Sequence, residues 1–175
     1  SAIAQIGFVL LAVGLGTGIS NGNALFYLLS YAMATVAVFG GLLLMSKAGF
    51  NCDQLSDLSG LNHKNPLLAI CFLLPLLSLI GIPPLLGFDA KLVVLNLLIQ
   101  SGHLVIATIS IVMTAIGAFY YIRIIKVMYF DSPNQSIECA VPQDGQFLLG
   151  INSFLMLILG FLPSLLLHYC LSTMA

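Results

Sequence analysis

Residues 66 to 100 read PLLAICFLLPLLSLIGIPPLLGFDAKLVVLNLLIQ. The stretch is apolar almost throughout, yet it holds paired prolines, two glycines, an aspartate and a lysine. At 1.5 Å per residue an unbroken helix of this length extends about 50 Å, well beyond the roughly 30 Å of a bilayer's hydrocarbon core. Pro83 and Pro84 remove two backbone donors, and Gly81 and Gly87 add conformational freedom, so the helix is expected to break at about 81 to 87. Two arrangements fit: two short spans joined by a turn, or one discontinuous span made of two half-helices.

Composition sets the surroundings of this stretch. Hydrophobic residues make up 60% of the chain and charged residues 6%, far below the roughly 25% charged residues of an ordinary soluble domain. Mean hydropathy is +1.11. The chain therefore reads as an integral membrane protein with the lipid bilayer as its solvent. A formal net charge of -1 without a basic cluster argues against a nucleic-acid partner. Cys52, Cys71, Cys139 and Cys170 are scattered without CxxC or zinc-like spacing and mark neither a redox centre nor a metal site. His63, His103 and His168 share no ligand spacing. The chain opens at Ser1 without an initiator methionine, and only about 15 apolar residues precede Gly16, short for a span. It is therefore expected to be a fragment of a longer protein.

Apolar runs place further spans at about 1–16, 24–46, 104–130 and 147–169. Between the second and third, Leu55, Leu58 and Leu61 recur at helical spacing beside Asp53 and Asp57, which fits either a short helix on the membrane surface or a solvated connector. If 66–100 crosses once, Lys47, Lys64, Arg123 and Lys126 all fall on one side, as expected for the cytoplasmic face; if it crosses twice, they divide. The predicted fold is an all-α polytopic bundle of five spans, the third discontinuous, with the amino end inside and the carboxyl end outside.

A broken helix persists at membrane depth only where protein or a wet cavity satisfies its backbone. Lys91 follows the break near mid-membrane, where a lysine costs roughly 2.5 to 3.5 kcal/mol on insertion scales. Burial and the following helix's positive end disfavour its charged form, while Asp89, placed to cap that helix, favours it by pairing. A lysine between such opposing influences suits a proton relay; the alternative is an ion pair that merely pins the break. Gln5, Tyr27, Ser30, Tyr31 and Thr35, with Ser110, Thr114 and Tyr121 on one face of the fourth span, are candidates to border a hydrated path. Taken singly, each is better explained by interhelical packing; a path is suggested only by the set together.

SAIAQIGFVL (1–10), LFYLLSYAMATVAVFGGLLL (25–44), LSDLSGLNHKNPLLA (55–69), LSLIGIPPLLGFDAKLVV (77–94) and AFYYIRIIKVMYF (118–130) resemble, in order, the carboxyl-terminal part of subunit N of respiratory complex I. Its mitochondrial counterpart is subunit 2. These are antiporter-like membrane subunits of NADH:quinone oxidoreductase, related to multi-subunit sodium/proton antiporters. The resemblance implies that the matching region is the last five of fourteen helices and that Lys91 stands at a family proton-transfer position. It also implies neighbouring membrane subunits as partners, protons as the species moved, and a bacterial inner membrane in preference to a mitochondrial one. FMN, iron–sulfur clusters and quinone are implied for the whole complex and none for this chain. Gln5 stands where that family often carries histidine, and Asp89 where it usually has an uncharged residue. A cation/proton antiporter or membrane hydrogenase subunit, and a structural membrane scaffold, are the competing readings.

Overall fold

The computed structural model describes residues 1–47, 54–132 and 142–174. In an apolar solvent every backbone N–H and C=O must be paired within the chain, and helices do this locally. The apolar runs accordingly form α1 (Ala2–Val13), α2 (Gly18–Lys47), α4 (Pro66–Ile80), α5 (Leu86–Gln100), α6 (Leu104–Phe130), α7 (Gln143–Phe161) and α8 (Pro163–Met174). A single-turn α3 (Leu61–Lys64) follows a 3-10 turn at Leu55–Leu58. Among the described residues, three helices are long and apolar enough to cross a membrane: Gly18–Ser46, Leu104–Phe130 and Gln143–Phe161. Ala2–Val13 and Pro66–Ile80 are apolar but shorter.

Several boundaries differ from those expected of the sequence. The second helix starts earlier, at Gly18, because Thr17 and Ser20 exchange side-chain and backbone hydrogen bonds at its entrance. The stretch expected as one span from 147 to 169 is two helices, separated at Leu162. Pro163 supplies the reason: it has no N–H to donate to Leu159 O, four residues back, and is favoured as the first residue of a new helix. Leu58 and Leu61 are buried in the same cluster as Met128, so these leucines face protein, and the amide of Gly60 donates to Val127 O at 3.1 Å. Cys52, Asp53 and Cys139 lie outside the described residues.

The long helix α2 packs against α1, α4, α5, α7 and α8. One buried cluster, with Phe72, Leu76 and Met156, gathers around α4; the other, with Phe26, Tyr27, Leu86 and Val94, gathers around α5. Helix α4 begins with Pro66 at a first-turn position and Asn65 as its cap, the Asn65 side chain accepting from Leu68 N at 3.1 Å. Inside α4, Pro75 has no N–H to give Cys71 O, four residues back. Ser153 of α7 makes good the loss, its hydroxyl donating to that carbonyl at 2.9 Å. Ser153→Ala is expected to lower stability by about 1 kcal/mol, read as a lower thermal midpoint of the detergent-solubilised protein, because it leaves a buried carbonyl without a donor.

The interruption between α4 and α5 is confined to residues 81 to 85. Gly81 ends α4 at φ 91, ψ 49, in the left-handed region where glycine avoids the Cβ penalty. The amides of Gly81 and Ile82 both donate to Leu77 O, at 3.0 and 3.1 Å. The Pro83–Pro84 peptide is cis. Leu85, Leu86 and Gly87 are buried, while Ile82, Pro83 and Pro84 form an exposed corner, so only part of the break faces the interior. The two prolines bring no N–H groups to that corner. From the other side α7 closes in: a Cβ on Gly160 would lie 2.1 Å from Pro84 O and 2.8 Å from Leu86 N.

Candidate functional site

A helix end leaves its last four carbonyls without intrahelical partners. At the end of α4, Leu77 O is taken by the two turn amides, and Ser78 turns toward α5, its hydroxyl accepting from Gly87 N at 3.0 Å. Of the remaining carbonyls, Leu79 O and Ile80 O both accept from Lys91 Nζ, at 2.7 and 2.9 Å. Lys91, 9% exposed, thus reaches back from α5 across the break to the negative end of the α4 dipole. Its chain runs over Gly81, where an added Cβ would sit 3.1 Å from Lys91 Cδ and 3.3 Å from Nζ.

Asp89 takes a different position from the one expected. Leu85 occupies the N-cap of α5 and makes no side-chain capping hydrogen bond; Asp89 lies within the first turn. Lys91 and Asp89, two apart on one helix, project in different directions, and the amine bonds carbonyls instead of the carboxylate. The Asp89 carboxylate is not paired with the Lys91 amine.

Two cavities meet at Lys91. The outer one, about 750 Å³, opens between α1 and α6, and Gln5, Lys91, Ser110, Thr114 and Tyr121 are among its lining residues. The inner one, about 10 Å³, is bounded by Gln5, Tyr27, Ser30, Tyr31, Ser78, Gly87 and Lys91. That space is about the minimum for a single water. Lys91, Gln5 and Leu79 line both. Gln5, nearly buried, donates through Nε2 to Leu79 O at 3.3 Å and accepts at Oε1 from Tyr27 OH. One carbonyl is therefore shared by Gln5 and Lys91, and Gln5 ties it to Tyr27 of α2.

Of the two polar faces chosen from the sequence, Tyr27, Ser30 and Tyr31 line the inner cavity and Ser110, Thr114 and Tyr121 the outer one. Thr35 lines neither cavity; its hydroxyl donates back to Tyr31 O within α2 at 2.8 Å. Ser30, Ser110 and Thr114 also donate to their own helices, to Tyr27 O, Ile106 O and Ser110 O, which leaves their oxygens able to accept. Tyr121 OH is hydrogen-bonded to Ser1 Oγ. The contributions of Ser78, Leu79 O and Ile80 O were not predicted. Their only sequence signal is Gly81 closing an apolar run, which announces a helix end and hence orphaned carbonyls.

Gly81→Ala is expected to retain the fold but move the Lys91 amine. The left-handed backbone at Gly81 disfavours a side chain, and the added methyl presses on the flexible far end of Lys91. The displaced amine is expected to weaken its hold on the end of α4, lowering stability by about 1 kcal/mol, read as a lower thermal midpoint of the detergent-solubilised protein.

A family model described as "NADH:quinone oxidoreductase/Mrp antiporter, TM" matches residues 1–117. NADH-quinone oxidoreductase subunit N of Polaromonas naphthalenivorans is 46% identical over 185 residues, covering 97% of this chain and 37% of the relative. The protein of the same name from Thiobacillus denitrificans is 42% identical over 170 residues, covering 97% of this chain and 35% of its own. Among solved structures, a chain of respiratory complex I from Thermus thermophilus, with bound aureothin, superposes with a TM-score of 0.79 at 31% identity, over 92% of this chain and 36% of that one. A chain of the Mrp complex from Dietzia sp. DQ12-45-1b gives 0.83 at 24% identity over 98% of this chain and 40% of that one, a likeness of fold. The chain thus spans little more than a third of the length of the curated relatives it matches.

Proposed function

The chain belongs to the NADH:quinone oxidoreductase/Mrp antiporter transmembrane family, and from that premise we propose that it works as a proton-translocating membrane subunit of NADH:quinone oxidoreductase, with Lys91 as the relay. In this reading α4 and α5 together form one discontinuous span, flanked by α1, α2, α6 and the α7–α8 pair, giving five crossings. The observation that carries it is the place of Lys91: a buried amine that forms the boundary between an open, partly polar cavity and a small inner one.

The carbonyls of Leu79 and Ile80 hold the protonated amine by charge-assisted hydrogen bonds. A proton arriving from the outer cavity is taken up at Nζ. It leaves toward the inner cavity, where Tyr27 and the Ser30 oxygen border the space. Gln5 cannot itself titrate in this range; it fixes the carbonyl that both side chains share. The energy for a directional cycle comes from electron transfer between NADH and quinone elsewhere in the assembled complex, through neighbouring membrane subunits. FMN and iron–sulfur clusters belong to that complex in this reading. The described residues do not suit an iron–sulfur cluster: Cys71 and Cys170 are buried in separate clusters, and no third or fourth thiol joins either among the described residues.

A cation/proton antiporter subunit is the second reading, supported by the Mrp-like fold. The 42–46% identity to subunit N favours the first. Lys91→Met in the full-length protein tests the relay: assembly is expected to be retained and proton movement, followed by a pH-sensitive dye in sealed vesicles, to be lost. Normal pumping by that variant would leave Lys91 a scaffold residue and overturn the proposal.

A further inference from the structure

Helix α6 has two unlike sides. Toward the outer cavity it presents Ser110, Thr114, Gly117 and Tyr121 alongside Ile109, Met113 and Tyr120. Away from the bundle, Val112, Ile116, Phe119, Arg123, Lys126 and Phe130 recur at spacings of three and four and make one stripe along the helix. Val112 is 51% exposed, Ile116 60%, Phe119 71% and Phe130 80%. Arg123 and Lys126 are exposed as well, and no ion pair is formed by either among the described residues.

The stripe has the shape of an amphiphile: a long apolar run that ends in two adjacent positive charges. Helix–helix interfaces in membranes favour small residues that let backbones approach, and on this face Thr108 and Ala115 are outnumbered by bulky side chains. Its bulky side chains suit acyl chains. The length of α6 fits the same arrangement. Twenty-seven residues rise about 40 Å, roughly 10 Å more than the hydrocarbon core. If the excess lies at the carboxyl end, Arg123 falls at the hydrocarbon boundary and Lys126 in the headgroup layer. That end also receives α3, with Gly60 N on Val127 O at 3.1 Å and Lys64 in the last turn of α3. The nearest acid in sequence is Asp131, at the C-cap.

We infer that Arg123 and Lys126 form a binding site for the phosphodiester headgroup of an anionic phospholipid whose acyl chain lies along Phe119, Ile116 and Val112. Arginine grips phosphate oxygens in a fork and lysine adds a second charge about one helical turn away. A basic residue at the membrane surface contributes to anionic-lipid binding through its charge and its apolar stem. The inference depends on α6 crossing the bilayer and not on the proton relay through Lys91.

The test uses the full-length protein in its membrane complex, reconstituted with a diazirine-bearing phosphatidylglycerol or with the same probe carrying a phosphatidylcholine head, and maps the photolabel on α6. The expected result is several-fold stronger labelling of α6 by phosphatidylglycerol. That preference is expected to vanish in the Arg123→Gln/Lys126→Gln double variant and to persist in Arg123→Lys/Lys126→Arg, which keeps both charges. Equal labelling by the two probes in the unmodified protein overturns the site, as does an unchanged preference in the glutamine variant. Abolition of the preference by excess inorganic phosphate assigns the charges to a free anion and overturns the lipid. Crosslinks from this face to a neighbouring subunit, in place of lipid, overturn it in favour of a protein contact.

Discussion

A Gly87→Ala chain is expected to lose the native junction between α4 and α5. A Cβ at this position would lie 2.1 Å from Ser78 O, 2.7 Å from Ser78 Oγ and 2.8 Å from Ser78 C. Two of those atoms are backbone, fixed by the final turn of α4, so no rotamer change relieves the overlap. Separating the helices would also pull Gly87 N away from Ser78 Oγ, its acceptor at 3.0 Å, in surroundings where an unpaired amide costs several kcal/mol. A destabilisation of about 3 kcal/mol or more follows, at the upper end of what overpacking produces. The expected readout is little or no full-length protein accumulating in the membrane fraction. Gly7→Ala is the control of opposite sign. No atom lies within 4 Å of a Cβ at Gly7 in α1, so alanine there gains about 0.5 to 1 kcal/mol of helix propensity. If Gly87→Ala accumulates as well as Gly7→Ala, the close approach of α5 to Ser78 is wrong.

The contrast between these glycines also marks what a sequence can convey. The paired prolines and Gly81 announced an interruption, because missing donors and left-handed backbone are properties of single residues. Lys91 was recognisable as costly from its position in an apolar run. Its partners were not. They are main-chain carbonyls of Leu79 and Ile80, which every residue possesses, and only the fold-back of α5 onto the end of α4 selects them. Asp89 was assigned a cap and a pairing from proximity in sequence, but the helix starts at Leu86, and residues two apart on a helix diverge. The separation of α7 from α8 turned on Pro163, a break legible in the sequence that a single span from Phe147 to Tyr169 passes over. Ser153 and Gly160 looked like ordinary small residues of a membrane helix. Their partners, Cys71 O and Pro84 O, are more than seventy positions away in the chain, and local patterning carries no trace of them.

Lys91 can serve either as a carrier that gains and loses a proton or as a fixed cation that fastens the end of α4. Methionine removes both functions at once. Arginine separates them. Its guanidinium keeps positive charge and several N–H donors for Leu79 O and Ile80 O, but it is not deprotonated in proteins. If fastening were the whole role, Lys91→Arg would restore both assembly and turnover. A relay demands release as well as uptake, so the variant is expected to assemble and then to stop at the protonated state.

Proton movement driven by NADH oxidation in sealed vesicles carrying the full-length Lys91→Arg protein, with assembly checked by native electrophoresis, decides between these roles. An assembled complex whose proton movement is reduced at least as far as in Lys91→Met is the result expected of a relay. Proton movement at the unmodified rate from an assembled Lys91→Arg complex would contradict it.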